Sequence, residues 1–342
     1  MLRPSRQPTT ASRLRGRSVP RPAWGWYPSA VAYLGIDLGG TYARAAVVDP
    51  AGSILAAAKI ALQDRTPAGV VDAIAVAAQE ALAAARRAVL GVGVGVAAQL
   101  EGDTGVVAVS PNLRWRDVPF GELLSRKLGR PVRVVNDLAA AAWGELNVGA
   151  GRGTRDLFVV FVGSGVGSAI VAGGRLVRGA NGVAGEFGHV KVIPDGRLCG
   201  CGERGCLEAY VGGHNLIAQM QEAIDAGRPT TLLARAKGNL ALLTPVVLED
   251  AALAGDEVAQ EIYDRATSHL GLAIANMVTV LNPAMLVIGG GVLMHCPGMR
   301  KAIADSVQRH ASWVSRRAVK VTQAALGDES GLIGAALLAA EG

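Results

Sequence analysis

No run of about 18 charge-free apolar residues occurs in this 342-residue chain. Its Ala-, Val- and Gly-rich stretches are broken by Asp, Arg or Gln, so no membrane-spanning helix is expected. The amino end lacks both an apolar core and a small-residue cleavage site, so it does not read as a secretory signal. A reducing compartment, the cytoplasm, is the expectation. Acids are missing from residues 1–36, which hold Arg3, Arg6, Arg13, Arg15, Arg17 and Arg21 with no Asp or Glu. Six of the 34 basic residues lie there, leaving 28 to balance the 28 acids, so the formal charge of +6 belongs to this segment and the body is neutral. Rich in Arg, Pro, Ser and Thr, residues 1–30 cannot bury enough surface to order themselves and read as a disordered basic tail. No nucleic-acid partner is expected. Aromatics make up only 4% of the chain, and the positive mean hydropathy, +0.31, comes from Ala and Val.

Cysteine is equally scarce, yet three of the four cysteines fall within eight residues: Cys199, Cys201 and Cys206. His189 precedes them by ten positions, and Glu186 and Glu208 flank the group. Three thiols and an imidazole make up the donor set that a tetrahedral structural zinc site requires, and glycines at 196, 200, 202 and 205 allow a short loop to turn all four donors inward. A redox pair or an incidental cluster is the competing reading, and a disulfide is disfavoured in a reducing compartment. Cys296 stands apart and reads as an ordinary small buried side chain.

The length suggests two domains. Val31–Asp37 reads as a strand that ends in Leu38-Gly39-Gly40-Thr41 and resumes as Ala43–Asp49. Paired glycines let the backbone approach a phosphate, Thr41 adds a hydroxyl, and Asp37 can hold a water of a Mg2+ ion; a plain hairpin would look the same. A strand over 53–60, a helix from Thr66-Pro67 to about Arg87 and an apolar strand over 89–96 follow. Ser110–Trp115 is turn-rich, with Asn112 able to offer an amide to a polar ligand. A helix over 118–128, a strand ending at Asn136-Asp137 and a helix over 138–146 complete the first half.

Asp137 is the candidate general base, because the carboxyl end of a strand before a helix is where open α/β sheets place ligands. An Asp there is also a favoured helix cap. After the linker Gly149–Thr154 the pattern repeats: a strand over 156–162, the turn Gly163-Ser164-Gly165-Val166-Gly167, and another strand. Two strand–glycine-turn–strand units about 125 residues apart suggest duplicated halves facing a cleft. Helices are expected over 208–226, 245–254, 256–281, 298–312 and 331–340. Between them lie strands over 285–288 and 318–323, and a third glycine turn at Gly289-Gly290-Gly291.

Asp37-Leu-Gly-Gly-Thr41, Asn136-Asp137, Gly163-Ser-Gly-Val-Gly167, Glu186-Phe-Gly-His189 and Cys199-Gly-Cys201…Cys206-Leu-Glu208 occur in the order found in the ROK family, which the chain resembles over about residues 32–342. That family comprises bacterial sugar kinases, glucokinase among them, and related sugar-responsive repressors. The resemblance implies an α/β, actin-like ATPase fold of the sugar-kinase and Hsp70 type, with two α/β domains around a cleft. The small one would span 31–148, with the C-terminal helix 331–342 packing back on it, and the large one would span 149–330 and carry the zinc loop. It implies an ATP-dependent hexose kinase acting on the 6-hydroxyl of glucose, or on an N-acetylhexosamine, mannose or fructose; a non-catalytic regulator and polyphosphate as donor are the alternatives.

By matching position, Asp37, Gly39, Gly40, Thr41, Gly163, Ser164, Gly165 and Gly167 are implied to cradle the phosphates of ATP, and Gly289, Gly290 and Gly291 to meet its adenosine. Asn112, Asn136, Asp137, Glu186, His189 and Glu208 are implied to surround the sugar. His189, Cys199, Cys201 and Cys206 are implied to hold structural Zn2+, Mg2+ to accompany ATP, and the chain to form a homodimer. Tyr42, Ala97-Ala98-Gln99 and Ser168-Ala169 depart from the family's usual residues.

Overall fold

The structure is a computed structural model that describes residues 31–341. The segment 1–30, where a basic tail is expected, lies outside the described residues.

The first half runs β1 (Tyr33–Leu38), β2 (Tyr42–Val48), β3 (Ile54–Ala61), α1 (Pro67–Ala85), β4 (Val92–Val96), β5 (Gln99–Leu100), β6 (Val107–Ser110), β7 (Trp115–Val118), α2 (Phe120–Leu128), β8 (Val132–Asn136) and α3 (Asp137–Asn147). In the second half come β9 (Leu157–Val162), β10 (Val166–Ala172), β11 (Arg175–Leu176), α4 (Glu208–Val211), α5 (Gly213–Asp225), α6 (Leu232–Arg235), α7 (Pro245–Leu253) and α8 (Glu257–Leu281). It closes with β12 (Met285–Gly289), α9 (Gly291–His295), α10 (Pro297–His310), α11 (Trp313–Ala318), β13 (Lys320–Gln323) and α12 (Ser330–Leu338).

The two main sheets share one topology. The first has the order β3-β2-β1-β4-β8 and the second β11-β10-β9-β12-β13. In each, the first three strands form an antiparallel meander, and two more join parallel to the first strand through helical crossovers. Buried on both faces, β4 and β9 read as the unbroken apolar runs that central strands require.

Helix α1 is long and apolar enough by length and composition to cross a membrane. Its Val70, Val71, Ile74, Ala77, Ala78 and Ala81 are buried, however, and it packs on β2 and β3 as an amphipathic cover for the sheet. Thr66 caps it, accepting from Gly69 N at 3.2 Å. It stops at Ala85, two residues short of the expected end, because Arg86 turns left-handed (φ 50°) to close it.

The turn expected over Ser110–Trp115 is present at residues 111–114, where it joins β6 to β7. With β5 these strands make a separate small sheet that the sequence does not announce, since strands of two to four residues are too short to show a period. The helix expected over 208–226 is broken at Gly212 (φ −59°, ψ 140°). The break lets α5 present its first amides to the second glycine turn: Gly213 N donates to Gly163 O at 2.9 Å and His214 N to Ser164 O at 3.1 Å. Beyond α10 the chain makes a further short helix, α11, capped by Ser312.

Helices α3 and α12 cross in close contact, and α12 also lies on β1 and β4. Small residues permit this approach. A side chain at Gly334 would strike the carbonyl of Ala140, and one at Gly144 would come within 2.8 Å of Ser330 O.

Candidate active site

Asp37 is the last polar residue of β1, and the hairpin register sets Arg44 directly opposite it on β2. Arg44 Nε donates to Asp37 Oδ2 at 2.9 Å, and its Nη2 reaches the same oxygen. Between them the chain turns through Gly39-Gly40-Thr41, with Gly39 N bonded to Tyr42 O at 3.1 Å. Neither glycine has a left-handed backbone. Gly40 is glycine for space: an added Cβ would lie 3.1 Å from that of Asn112. Asn112 is therefore an exposed residue beside the first glycine turn.

Asn136 ends β8 and caps α3. Its Oδ1 accepts from Leu138 N at 2.9 Å and Ala139 N at 3.2 Å, and its Nδ2 donates to Ala98 O at 3.2 Å. The cap is thus Asn136, and Asp137 is the first residue of the helix, its Oδ1 accepting from Leu138 N at 2.9 Å. Surrounding protein desolvates that carboxyl and, with the charges of Asp37 and then Glu186, pushes it up to about 6 against the pull of the local amides. Gly95 on β4 leaves room for this arrangement, since a Cβ there would meet Ala140 Cβ at 3.2 Å and Asp137 Cα at 3.4 Å.

On the second sheet, Gly163 N closes the β9–β10 turn on Gly165 O at 3.0 Å, and Gly163 itself faces open space. Gly290 lies against the end of β9 with φ +84°, where a Cβ would meet the backbone of Val162 at 2.5 Å. Only glycine fits that backbone. The second and third glycine turns are neighbours as a result.

From the second half, Phe187 anchors the next group by packing edge-on against Phe158, 5.5 Å between ring centres. Glu186 and His189 sit on either side of it. His189 Nε2 lies 3.6 Å from Glu186 Oε2, while its Nδ1 lies 3.8 Å from Cys199 Sγ. Cys201 and Cys206 are 3.8 Å apart at sulfur, and the four donor atoms of His189, Cys199, Cys201 and Cys206 all lie within 4.8 Å of one another. A tetrahedron of 2.3 Å zinc–sulfur bonds has edges of about 3.8 Å, so the donors fit a zinc ion. Burial and the neighbouring thiols push the Cys199 thiol up to about 12, so a bound cation is what would make it a thiolate.

Glu208 is tucked beneath the second glycine turn. Its Oε2 accepts from Val166 N at 2.8 Å, its Oε1 lies 3.7 Å from Cys199 Sγ, and a side chain at Gly165 would collide with it. The cysteine loop and the second glycine turn are therefore braced by one carboxylate.

Asn136 and Glu186 line one pocket, together with Ala98, Gln99, Ser168 and Arg178. Two polar residues at the site have no role assigned in the sequence reading: Arg44 on Asp37, and Gln99, which stands there only as part of a departure from the family's usual residues and whose Nε2 donates to Glu186 Oε2 at 3.1 Å. The hairpin register could have found Arg44. Only that departure marks Gln99.

A model of the ROK family matches residues 33–341. The chain belongs to the ROK family. Its relatives include the glucokinase of Streptomyces coelicolor, 36% identical over 313 residues, which are 90% of this chain and 97% of that protein. The structure of a ROK family glucokinase from Streptomyces griseus in complex with glucose and AMPPNP superposes with a TM-score of 0.77 at 36% identity, covering 91% of this chain and 100% of that one. A ROK family transcriptional regulator, a homologue of the E. coli MLC protein, superposes with a TM-score of 0.79 at 25% identity, covering 91% and 78%. The ROK fold is the actin-like ATPase fold, with which the two sheets of matching topology agree.

Proposed function

We propose that this ROK protein is an ATP-dependent hexose kinase that phosphorylates the 6-hydroxyl of glucose, with Asp137 as general base. The observation that carries the reading is the Asp137 carboxyl itself, held at the head of α3 and raised to about 6. It is mostly ionised at neutral pH, yet basic enough to take a proton. Its position at the end of a parallel strand, between the two glycine turns, supports the same role.

In this reading the small domain is 31–148 with α12 packed on it, and the large domain 149–330 carries the cysteine loop. The sugar lies among Asn136, Asp137, Glu186, His189 and Glu208, with Asn112 closing over it. Asp137 accepts the proton of the attacking hydroxyl, and the amides of Gly39–Thr41 and Gly163–Gly167 stabilise charge on the phosphoryl oxygens. Gly289–Gly291 lies along the adenosine. Mg2+, bound with the nucleotide, supplies charge neutralisation on the transferring phosphoryl group. Asp37 would hold it: Oδ1 accepts no hydrogen bond from the protein among the described residues, and the pairing of Asp37 with Asp137 favours a cation. Zn2+ on His189 Nδ1 and the three cysteines would fix the loop that presents Glu186 and His189 Nε2 to the sugar. A homodimer in the cytoplasm completes the reading.

The test is a coupled ADP-release assay with Mg-ATP against glucose, mannose, fructose, N-acetylglucosamine and N-acetylmannosamine, run beside Asp137→Asn. Turnover of glucose, lost in the variant, supports the kinase. If folded, zinc-loaded protein turns over none of these sugars, the reading is wrong, and a sugar-sensing role like that of the structurally similar regulator takes its place.

A further inference from the structure

Gln99 reaches across the cleft. It sits on β5 of the first half, and its Nε2 donates at 3.1 Å to Oε2 of Glu186, 87 positions later in the second half. That same oxygen lies 3.6 Å from His189 Nε2. Among the described residues, Glu186 Oε1 and Gln99 Oε1 accept no hydrogen bond from the protein, and both residues line the pocket they share with Asn136. A carboxylate oxygen and an amide oxygen of two pocket-lining residues are thus left to a ligand.

The strand that carries Gln99 is pinned on every side. Ser110 Oγ donates to Ala97 O at 2.9 Å and Asn136 Nδ2 to Ala98 O at 3.2 Å. Further out, Gly102 N donates to Asn181 O at 3.1 Å, and Asp103 pairs with Arg178. Gly182, at φ +89°, lies so close that a Cβ there would approach Gly102 Cα to 3.0 Å. The direction of the Gln99 side chain is therefore set by the packing of the hairpin on the second half.

We propose that Gln99 is a specificity-determining residue for the sugar. Its amide reads the ring edge that Glu186 faces, and its bulk fills the space that a substituent larger than hydroxyl on that edge would occupy. The inference rests on the hexose-kinase reading and adds to it the residue that selects among hexoses. A site that hydrogen-bonds a hydroxyl discriminates strongly against an analogue that cannot make the bond, whereas an apolar site does not.

The experiment compares wild type with Gln99→Ala and Gln99→Glu on glucose, mannose, N-acetylglucosamine and 3-O-methylglucose, with Mg-ATP saturating. In Gln99→Ala the loss on glucose falls on KM, roughly 10-fold, rather than on kcat, and the ratio of kcat/KM for at least one bulkier sugar over glucose rises roughly 10-fold. Gln99→Glu keeps the size but sets a carboxylate against Glu186, so its KM for glucose exceeds that of the alanine variant. A structural role alone would alter melting temperature or the KM for ATP and leave the sugar ratios in place. Ratios within about 2-fold of wild type in folded Gln99→Ala overturn the proposal. Should wild type turn over no sugar, the kinase reading has failed, and calorimetric binding of the same four sugars decides this one: unchanged ratios of Kd between wild type and Gln99→Ala, or no binding, overturn it.

Discussion

Arg44 Nε sits 2.9 Å from Asp37 Oδ2, and this cross-strand bond engages one oxygen of Asp37 and leaves Oδ1 without a hydrogen bond from the protein among the described residues. The pair is only partly buried, with side chains 30% and 17% exposed. Its value therefore lies in orientation more than in stability. Arg44→Met is expected to raise the KM for Mg-ATP about 10-fold with little change in the KM for sugar. Arg44→Lys recovers part of the loss, since a lysine cannot make the forked contact. Steady-state kinetics with ATP and sugar varied in turn check this.

On the kinase reading, Asp137 is expected to make activity depend on pH. Its carboxyl is raised to about 6, first by burial and then by Asp37. On the kinase reading, kcat/KM rises tenfold per pH unit below about 6 and levels off above it. Asp37→Asn removes a like charge and moves the protonation of Asp137 to lower pH, a shift that can be followed by NMR titration of the carboxyl even where activity is poor.

The same carboxyl costs stability. A carboxyl whose folded-state pKa lies above its unfolded value stabilises the fold below the unfolded value of 3.8, and that contribution is lost as pH rises through about 6. Asp137→Asn is therefore expected to melt a few degrees higher than wild type at pH 7–8 and to show no such gain near pH 4, while losing about 10²–10⁴ in kcat. Paired melting curves at the two pH values check the sign.

On the reading that zinc fills the His/Cys cluster, stripping it with a strong chelator is expected to abolish sugar binding before ATP binding, because the donors share their loop with Glu186 and Glu208. Cys206→Ser should reproduce the effect. Calorimetry with each ligand, together with a colorimetric count of released zinc, separates the two sites.

Glu145 is fully buried on α3, and its carboxylate accepts from Ala150 N at 2.7 Å, Ala325 N at 3.1 Å and Leu326 N at 2.9 Å. One side chain thus ties together both crossings between the halves, the chain leaving α3 and the chain entering α12. Glu145→Ala removes the acceptor of three part-buried amides and is expected to cost roughly 1–3 kcal/mol, measured by urea unfolding. Glu145→Gln, which keeps an acceptor, costs less.

Most of the site could be listed from the sequence because its chemistry is carried by short motifs. Asp37-Leu-Gly-Gly-Thr41, Asn136-Asp137 and the cysteine cluster each bring their donors within a few residues, and the register of one hairpin is enough to add Arg44. Helix and strand limits were legible wherever a period ran long enough, as in α1, α8 and β9, and failed where the chain was short or irregular, as in β5–β7 and at Gly212.

The sequence by itself determined the donor types at the zinc cluster, the strand-end carboxylates and the repeat of two glycine-turned halves, since all of these follow from neighbours along the chain. Only the tertiary structure decided that Asn136 rather than Asp137 caps α3, that Gln99 holds Glu186 across the cleft, and that Glu145 ties its own crossing to an amide 180 positions away. Each of these depends on backbone amides and carbonyls that carry no residue identity, or on partners tens to hundreds of positions away. A linear pattern contains no distance between such groups until the two sheets have been packed together.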